Sequence, residues 1–137
     1  MPKLSIVVPV YYNEDNLRPL YADLKEKLLD RDNPFEVEIV MVDDGSGDRS
    51  YQVMEEFKAQ DDRIHLYHLS RNFGSDAAVL CGLIQSTGDC AVVKCADLQE
   101  PTEMIYDMYE KWVEGNNVVL AVREGREEGR MQIFFAN

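Results

Sequence analysis

The feature that most limits what this chain can fold into is a change of hydrophobic period that repeats along it. Residues 4–10 (LSIVVPV) form a continuous apolar, β-branched run. Such a run suits a strand covered on both faces, as in a parallel sheet with helices above and below. Over residues 14–30 the period lengthens, and Leu17, Leu20, Tyr21, Leu24 and Leu28 fall on one helical face. Asn13 is placed to cap that helix, with Glu14 and Asp15 favourably set in its first turn. The switch recurs. Strands are predicted over 37–42 (VEIVMV), 64–69, 91–95 and 118–122, and helices over 49–60, 73–87 and from Thr102 to about Gly115. Five strands alternating with four helices predict an α/β, Rossmann-like three-layer sandwich with a mainly parallel sheet and right-handed crossovers.

Charge narrows the partners. The chain has 137 residues, with 14 Lys and Arg against 26 Asp and Glu, a formal charge of −12. Nucleic acid is not expected as a partner, because phosphate-backbone binding needs a basic footprint. A phosphorylated small molecule remains open, provided a local cation offsets the field. The apolar fraction of 45% supports one ordinary core. Cys81, Cys90 and Cys95 sit in apolar runs and read as free thiols, which points to a reducing, cytoplasmic setting. After residue 123 the chain becomes polar, then apolar again at Met131, Ile133, Phe134 and Phe135. We therefore expect residues 124–137 to begin a further segment of a longer protein.

In an open parallel sheet, ligands bind beyond the carboxyl ends of the strands. Those ends carry Pro9-Val10-Tyr11-Tyr12-Asn13-Glu14, then Asp43 and Asp44, then Asp97 and Gln99, and finally Arg123. Crowded carboxylates call for a cation or protons. Neither G-x-G-x-x-G after the first strand nor G-x-x-x-x-G-K-[ST] is present, so a pyrophosphate needs metal and side-chain cations in place of a backbone cradle. Asp97 is a hard-oxygen ligand, with the Gln99 amide oxygen two residues on. Asp43 or Asp44 suits a base N–H or a ribose hydroxyl. One of Tyr11 and Tyr12 is expected in the core and the other against a base.

Four elements then come in order: Pro9-Val10-Tyr11-Tyr12-Asn13-Glu14, Val42-Asp43-Asp44-Gly45-Ser46, Ser70-Arg71-Asn72-Phe73-Gly74 and Ala96-Asp97-Leu98-Gln99-Glu100-Pro101. Together they resemble the N-terminal half of a family-2 glycosyltransferase of the GT-A (nucleotide-diphospho-sugar transferase) fold. The branch most similar is that of dolichol-phosphate mannose synthase and the bacterial undecaprenyl-phosphate glycosyltransferases. The resemblance implies inverting transfer of a sugar from a UDP- or GDP-type donor to a polyprenyl phosphate lipid, with Mg²⁺ or Mn²⁺ as cofactor. Residues 1–123 would be the donor-binding part and 124–137 the start of the acceptor side.

By position, Pro9, Tyr11, Tyr12 and Glu14 match the nucleotide loop, and Asp43 and Asp44 the base and ribose site. Arg71, Cys95, Ala96 and Arg123 join the donor site, and Asp97 and Gln99 match the metal site. A location at the cytoplasmic face of a membrane follows, reached through segments beyond residue 137, with homo-oligomer formation left open. This chain alone would bind donor weakly and transfer nothing.

One departure stands out. Cys95 occupies the first position of the family's D-x-D, and a thiol is a poor ligand for a hard cation. It motivates an alternative, a catalytically impaired module of the same fold with a regulatory or assembly role.

Overall fold

A computed structural model describes residues 1–122 and the backbone of residues 131–136. The elements in chain order are β1 (Lys3–Val10), α1 (Glu14–Leu24), β2 (Glu36–Asp43), α2 (Ser50–Gln60), β3 (Ile64–His68), α3 (Ser75–Gln85), β4 (Cys90–Val93), α4 (Met104–Val113), β5 (Val118–Val122) and β6 (Met131–Ala136). They build one six-stranded sheet in the order β3-β2-β1-β4-β6-β5. β1 pairs parallel with β2 and β4, and β2 parallel with β3.

The α/β, mainly parallel architecture is as the alternation predicts. The strand count is not: β6 lies between β4 and β5 and runs antiparallel to both. Nothing local in the sequence reveals that a late strand inserts inside an earlier edge.

Side-chain alternation divides the core. Leu4, Ile6, Val8 and Val10 of β1 face one side, where Leu17, Leu20 and Leu24 of α1, Met54 and Phe57 of α2, and Ile105 and Met108 of α4 close over them. Val7 faces the other side with Val40, Val42 and Ala78 of α3. Gly82 lets α3 approach closely, since a Cβ there would lie 2.4 Å from Val7 Cγ1. Each deeply buried Leu, Ile or Phe contributes about 1.5–3 kcal/mol of apolar burial.

Several local details differ from the sequence reading. Beyond α1 the chain continues as a π-helical turn over Lys25–Leu29. Asn13 makes no side-chain cap; its Oδ1 instead accepts the Tyr11 N–H at 2.8 Å. Asp48 Oδ2 accepts the Glu14 N–H at 3.4 Å, and Ser50 Oγ accepts the Asn13 N–H at 3.0 Å. The later junction of β2 and α2 therefore supplies the capping that the sequence assigns to Asn13. α3 begins two residues later than predicted, because the N–H groups of Phe73 and Gly74 are bonded elsewhere and Gly74 has φ +103.

Register sets the level of the site. Val10 lies beside Asp43, and Asp43 beside His68, so β1, β2 and β3 end together. The β1–β4 ladder stops earlier, with Val93 beside Val7 and the Lys94 N–H on Val7 O at 2.8 Å. The next group of β1 on that side is the Pro9 nitrogen, which has no hydrogen to give. The two strands can therefore part, and a cleft opens between them.

Candidate nucleotide-diphosphate cleft

The cleft holds about 350 Å³ and is lined from four directions. Pro9, Val10, Tyr11 and Asn13 come from the end of β1, and Asp44 from the end of β2. Asn72, Gly74, Ser75 and Ala78 come from the start of α3, and Cys95, Ala96 and Asp97 from beyond β4. Each of the four sequence elements quoted above contributes to this lining, brought to one place by parallel register. The first-turn N–H groups of a helix lack intrahelical partners, so the α3 N-terminus presents a partial positive charge to the cleft.

Asp44 is 3% exposed, and its two oxygens accept the N–H groups of Phe73 at 2.8 Å and Gly74 at 3.1 Å. It therefore clamps the loop before α3 onto the end of β2. Gly45 makes that contact close. It has φ +71, a region open to glycine, and a Cβ there would lie 2.4 Å from the Arg71 carbonyl carbon.

Asp43 is fully buried and does not line the cleft. Its Oδ2 meets the Ser46 N–H at 3.2 Å and His68 Nε2 at 3.1 Å, while Oδ1 is buried with no hydrogen-bond donor. His68 in turn stacks on Tyr51, with ring centroids 4.4 Å apart.

The tyrosines depart from the expectation of one inside and one outside. Tyr11 is 42% and Tyr12 57% exposed, and their rings meet edge to face at 4.7 Å. Only Tyr11 lines the cleft. Tyr12 has φ +50, donates its N–H to Ser46 Oγ at 3.0 Å and lays its hydroxyl against Gly47. Glu14 is half-buried at the start of α1, outside the lining, and Arg71 is exposed with its guanidinium 4.3 Å over the Phe73 ring. Arg123 lies outside the described residues. The sequence reading did not single out Asn72, Ser75 and Ala78 as cleft residues. Asn72 sits inside a quoted motif, whereas small residues at a helix start carry no signal until the helix is docked.

Beyond β4, Asp97 Oδ1 accepts the Gln99 N–H at 3.2 Å, and Leu98 between them has φ +62. Gln99 is exposed on the same loop, outside the cleft lining. Among the described residues no group of three or more His, Cys, Asp and Glu side chains could hold a metal alone. The Asp97 carboxylate fits a hard divalent cation that takes most of its ligands from substrate phosphates and water, while Gln99 lines the cavity on the other side of the loop. Cys95 is half-buried in the cleft wall and takes part in no disulfide. Cys90 lies deep in the sheet, where burial pushes its thiol up to about 12 and leaves it inert.

Comparison with known proteins matches this layout. The uncharacterised glycosyltransferase YkcC of Bacillus subtilis is 43% identical over 123 residues, which are 90% of this chain and 38% of that protein. A bactoprenol glucosyl transferase of Shigella phage SfX is 36% identical over 131 residues, 95% of this chain and 42% of that protein. The chain thus spans about two-fifths of the length of these relatives. Among solved structures, S. aureus TarS 1–349 in complex with UDP-GlcNAc superposes with a TM-score of 0.73 at 25% identity, covering 93% of this chain and 37% of that one. A Pyrobaculum calidifontis mannosyltransferase, solved with GDP-Man and Mn²⁺, shares the fold with a TM-score of 0.77 at 18% identity, covering 98% and 44%. The sequence model of glycosyl transferase family 2 matches residues 5–136, a span that takes in all four walls of the cleft and the late strand β6, and the chain belongs to that family.

Proposed function

We propose that this chain is the donor-binding part of an inverting glycosyltransferase that moves a sugar from a nucleotide diphosphate to a polyprenyl phosphate. The observation that carries the reading is the convergence of Tyr11, Asp44, the α3 N-terminus and Asp97 on one cleft at the carboxyl ends of the strands. Bactoprenol in the name of the phage relative supports the lipid acceptor, and UDP-GlcNAc in the TarS complex supports the donor class.

Tyr11 would stack on the base, and the loop held by Asp44 would fix the nucleoside end. The diphosphate would lie between the α3 N-terminus and Asp97, with Cys95 and Ala96 as the wall beneath it. Asp97 would hold Mg²⁺ or Mn²⁺, with the Gln99 amide oxygen turned in from the same loop, and the ion would supply charge neutralisation for the diphosphate leaving group. A lipid phosphate acceptor is already anionic. Positioning and charge neutralisation therefore supply most of the acceleration. Residues 1–123 form the donor side in this reading and 124–137 lead toward the acceptor side, with the working site at the cytoplasmic face of a membrane.

Calorimetric titration with UDP, GDP and their sugar conjugates, with and without Mn²⁺, tests the reading. Metal-dependent binding of one nucleotide series is expected. Absence of binding to every one of them would overturn it.

A further inference from the structure

The loop that carries Asp97 and Gln99 is built over a buried lysine. Lys94 directly follows β4 and is 1% exposed, whereas lysines ordinarily keep their ammonium in water. Beyond the end of β4, Cys95, Ala96 and Asp97 line the cleft and Lys94 does not. Lys94 borders a second cavity of about 400 Å³ behind the loop, with Pro19, Asp23 and Lys27 of the α1 region and Glu100. Its Nζ donates to Glu100 O at 2.9 Å, six residues along, so the ammonium joins the two ends of the 95–100 loop.

Inside that closed ring sit the Asp97–Gln99 hydrogen bond and the left-handed Leu98, a conformation that a non-glycine residue holds only when its surroundings impose it. The chain beyond the ring is anchored separately. Thr102 Oγ1 donates to Asp23 Oδ2, and Lys27 Nζ bridges Asp23 at 2.8 Å and Glu103 at 2.9 Å.

A lysine is costly to bury at this position. Burial lowers the pKa of Lys94, against the opposing pull of Glu100 and Asp23. Among the described residues Lys94 forms no salt bridge, so its ammonium is desolvated largely for the hydrogen bond to Glu100 O. What an apolar chain cannot do is close the loop.

We propose that Lys94 is a positioning residue, whose buried ammonium clamps the 95–100 loop so that Asp97 meets a bound nucleotide diphosphate and its divalent cation. For its ligand this rests on the donor-binding reading; the clamp itself is a property of the loop. The test compares wild type and Lys94→Met in the full-length chain by three measurements. These are thermal unfolding, hydrogen exchange at the amides of residues 98–100, and the Mn²⁺ concentration that half-saturates binding of UDP or GDP.

The expected result is loop exchange faster by about tenfold or more, confined to the loop and larger than any change in global unfolding accounts for. The Mn²⁺ requirement should rise by about 10–100-fold, the range seen when groups that orient a metal ligand are removed. Wild-type exchange in Lys94→Met overturns the proposal, and so does faster exchange with an unchanged Mn²⁺ requirement. If the wild type binds neither nucleotide, the donor-binding reading fails, and the exchange comparison still decides the clamp. Should Lys94→Met not fold, Lys94→Gln, whose shorter side chain falls short of Glu100 O, makes the same comparison.

Discussion

The two ends of the sheet treat buried carboxylates differently. At the amino end, Glu38 is 2% exposed and fully engaged. Oε1 accepts from Ser5 Oγ and from the Thr87 N–H, each at 2.6 Å, and Oε2 accepts from Thr87 Oγ1 at 2.9 Å and faces Lys3 Nζ at 3.3 Å. Burial alone would raise its pKa, but the Ser5 and Thr87 hydrogen bonds outweigh it and hold Glu38 below its ordinary value. That network ties β1, β2 and the turn after α3 together, and it closes on itself. At the carboxyl end, Asp44 spends both oxygens on one loop, Asp43 keeps an oxygen with no donor, and Asp97 lines an open cleft. A closed network adds stability, whereas an open one keeps acceptors and space for a ligand.

Substitutions at the two ends can break this contrast. The largest effect is expected from Asp97→Ala, which should weaken metal-dependent nucleotide binding by about 10²–10³-fold, the scale of one lost charge-stabilising group. Its unfolding free energy should stay within about 0.5 kcal/mol of wild type. Calorimetry with Mn²⁺ and denaturant unfolding check the two halves; a large stability loss without a binding loss would place Asp97 with Glu38.

Asp44→Ala comes next. It strands two N–H groups and should cost about 2–3 kcal/mol of stability, measured by urea unfolding. Hydrogen exchange at Phe73 and Gly74 should rise with it.

Glu38→Gln should destabilise by about 1.5–2 kcal/mol while leaving nucleotide affinity at the wild-type value. The pH dependence follows from the sign of the shift. The folded-state pKa lies below the unfolded value near 4.5, so this stabilisation is fully present above pH 4.5 and is lost as pH falls through the folded pKa. Unfolding midpoints between about pH 5 and 2 should fall more steeply in wild type than in Glu38→Gln. Parallel curves would remove Glu38 as the origin.

The smallest effect sharpens the cleft side. Cys95→Asp restores a carboxylate beside Asp97 and should tighten Mn²⁺ by at most about tenfold, or 1.4 kcal/mol. If the full-length protein transfers sugar only once Cys95 is replaced, the impaired-module alternative is correct instead.

Much of this was legible before folding. The β-branched runs and the helical periods locate most elements, and they do so because burial on one face or two is written directly into residue order. The four motifs mark the strand ends, since Asp, Asn, Gly and Pro are what turns there require. Local sequence was a poorer guide wherever a partner from elsewhere intervened. Asn13 carries a capping side chain but uses it on Tyr11, because Asp48 and Ser50 arrive from another loop. Tyr11 and Tyr12 are both exposed, since Tyr12 lies over Gly47 rather than in the core. Lys94, inside the strand predicted over 91–95, gave no sign that its ammonium would turn back to Glu100.

The sequence by itself determined an α/β chain with a parallel sheet and acidic strand ends, because periodicity and turn chemistry act over a few residues. Only the tertiary structure decided which carboxylates face a ligand and which are consumed. Asp43 and Asp44 are neighbours in sequence, yet one is enclosed and the other lines the cleft. Register decided the cleft as well, since Pro9 ends its ladder where β4 has already stopped. Both outcomes depend on contacts between residues tens of positions apart, and no local pattern encodes those.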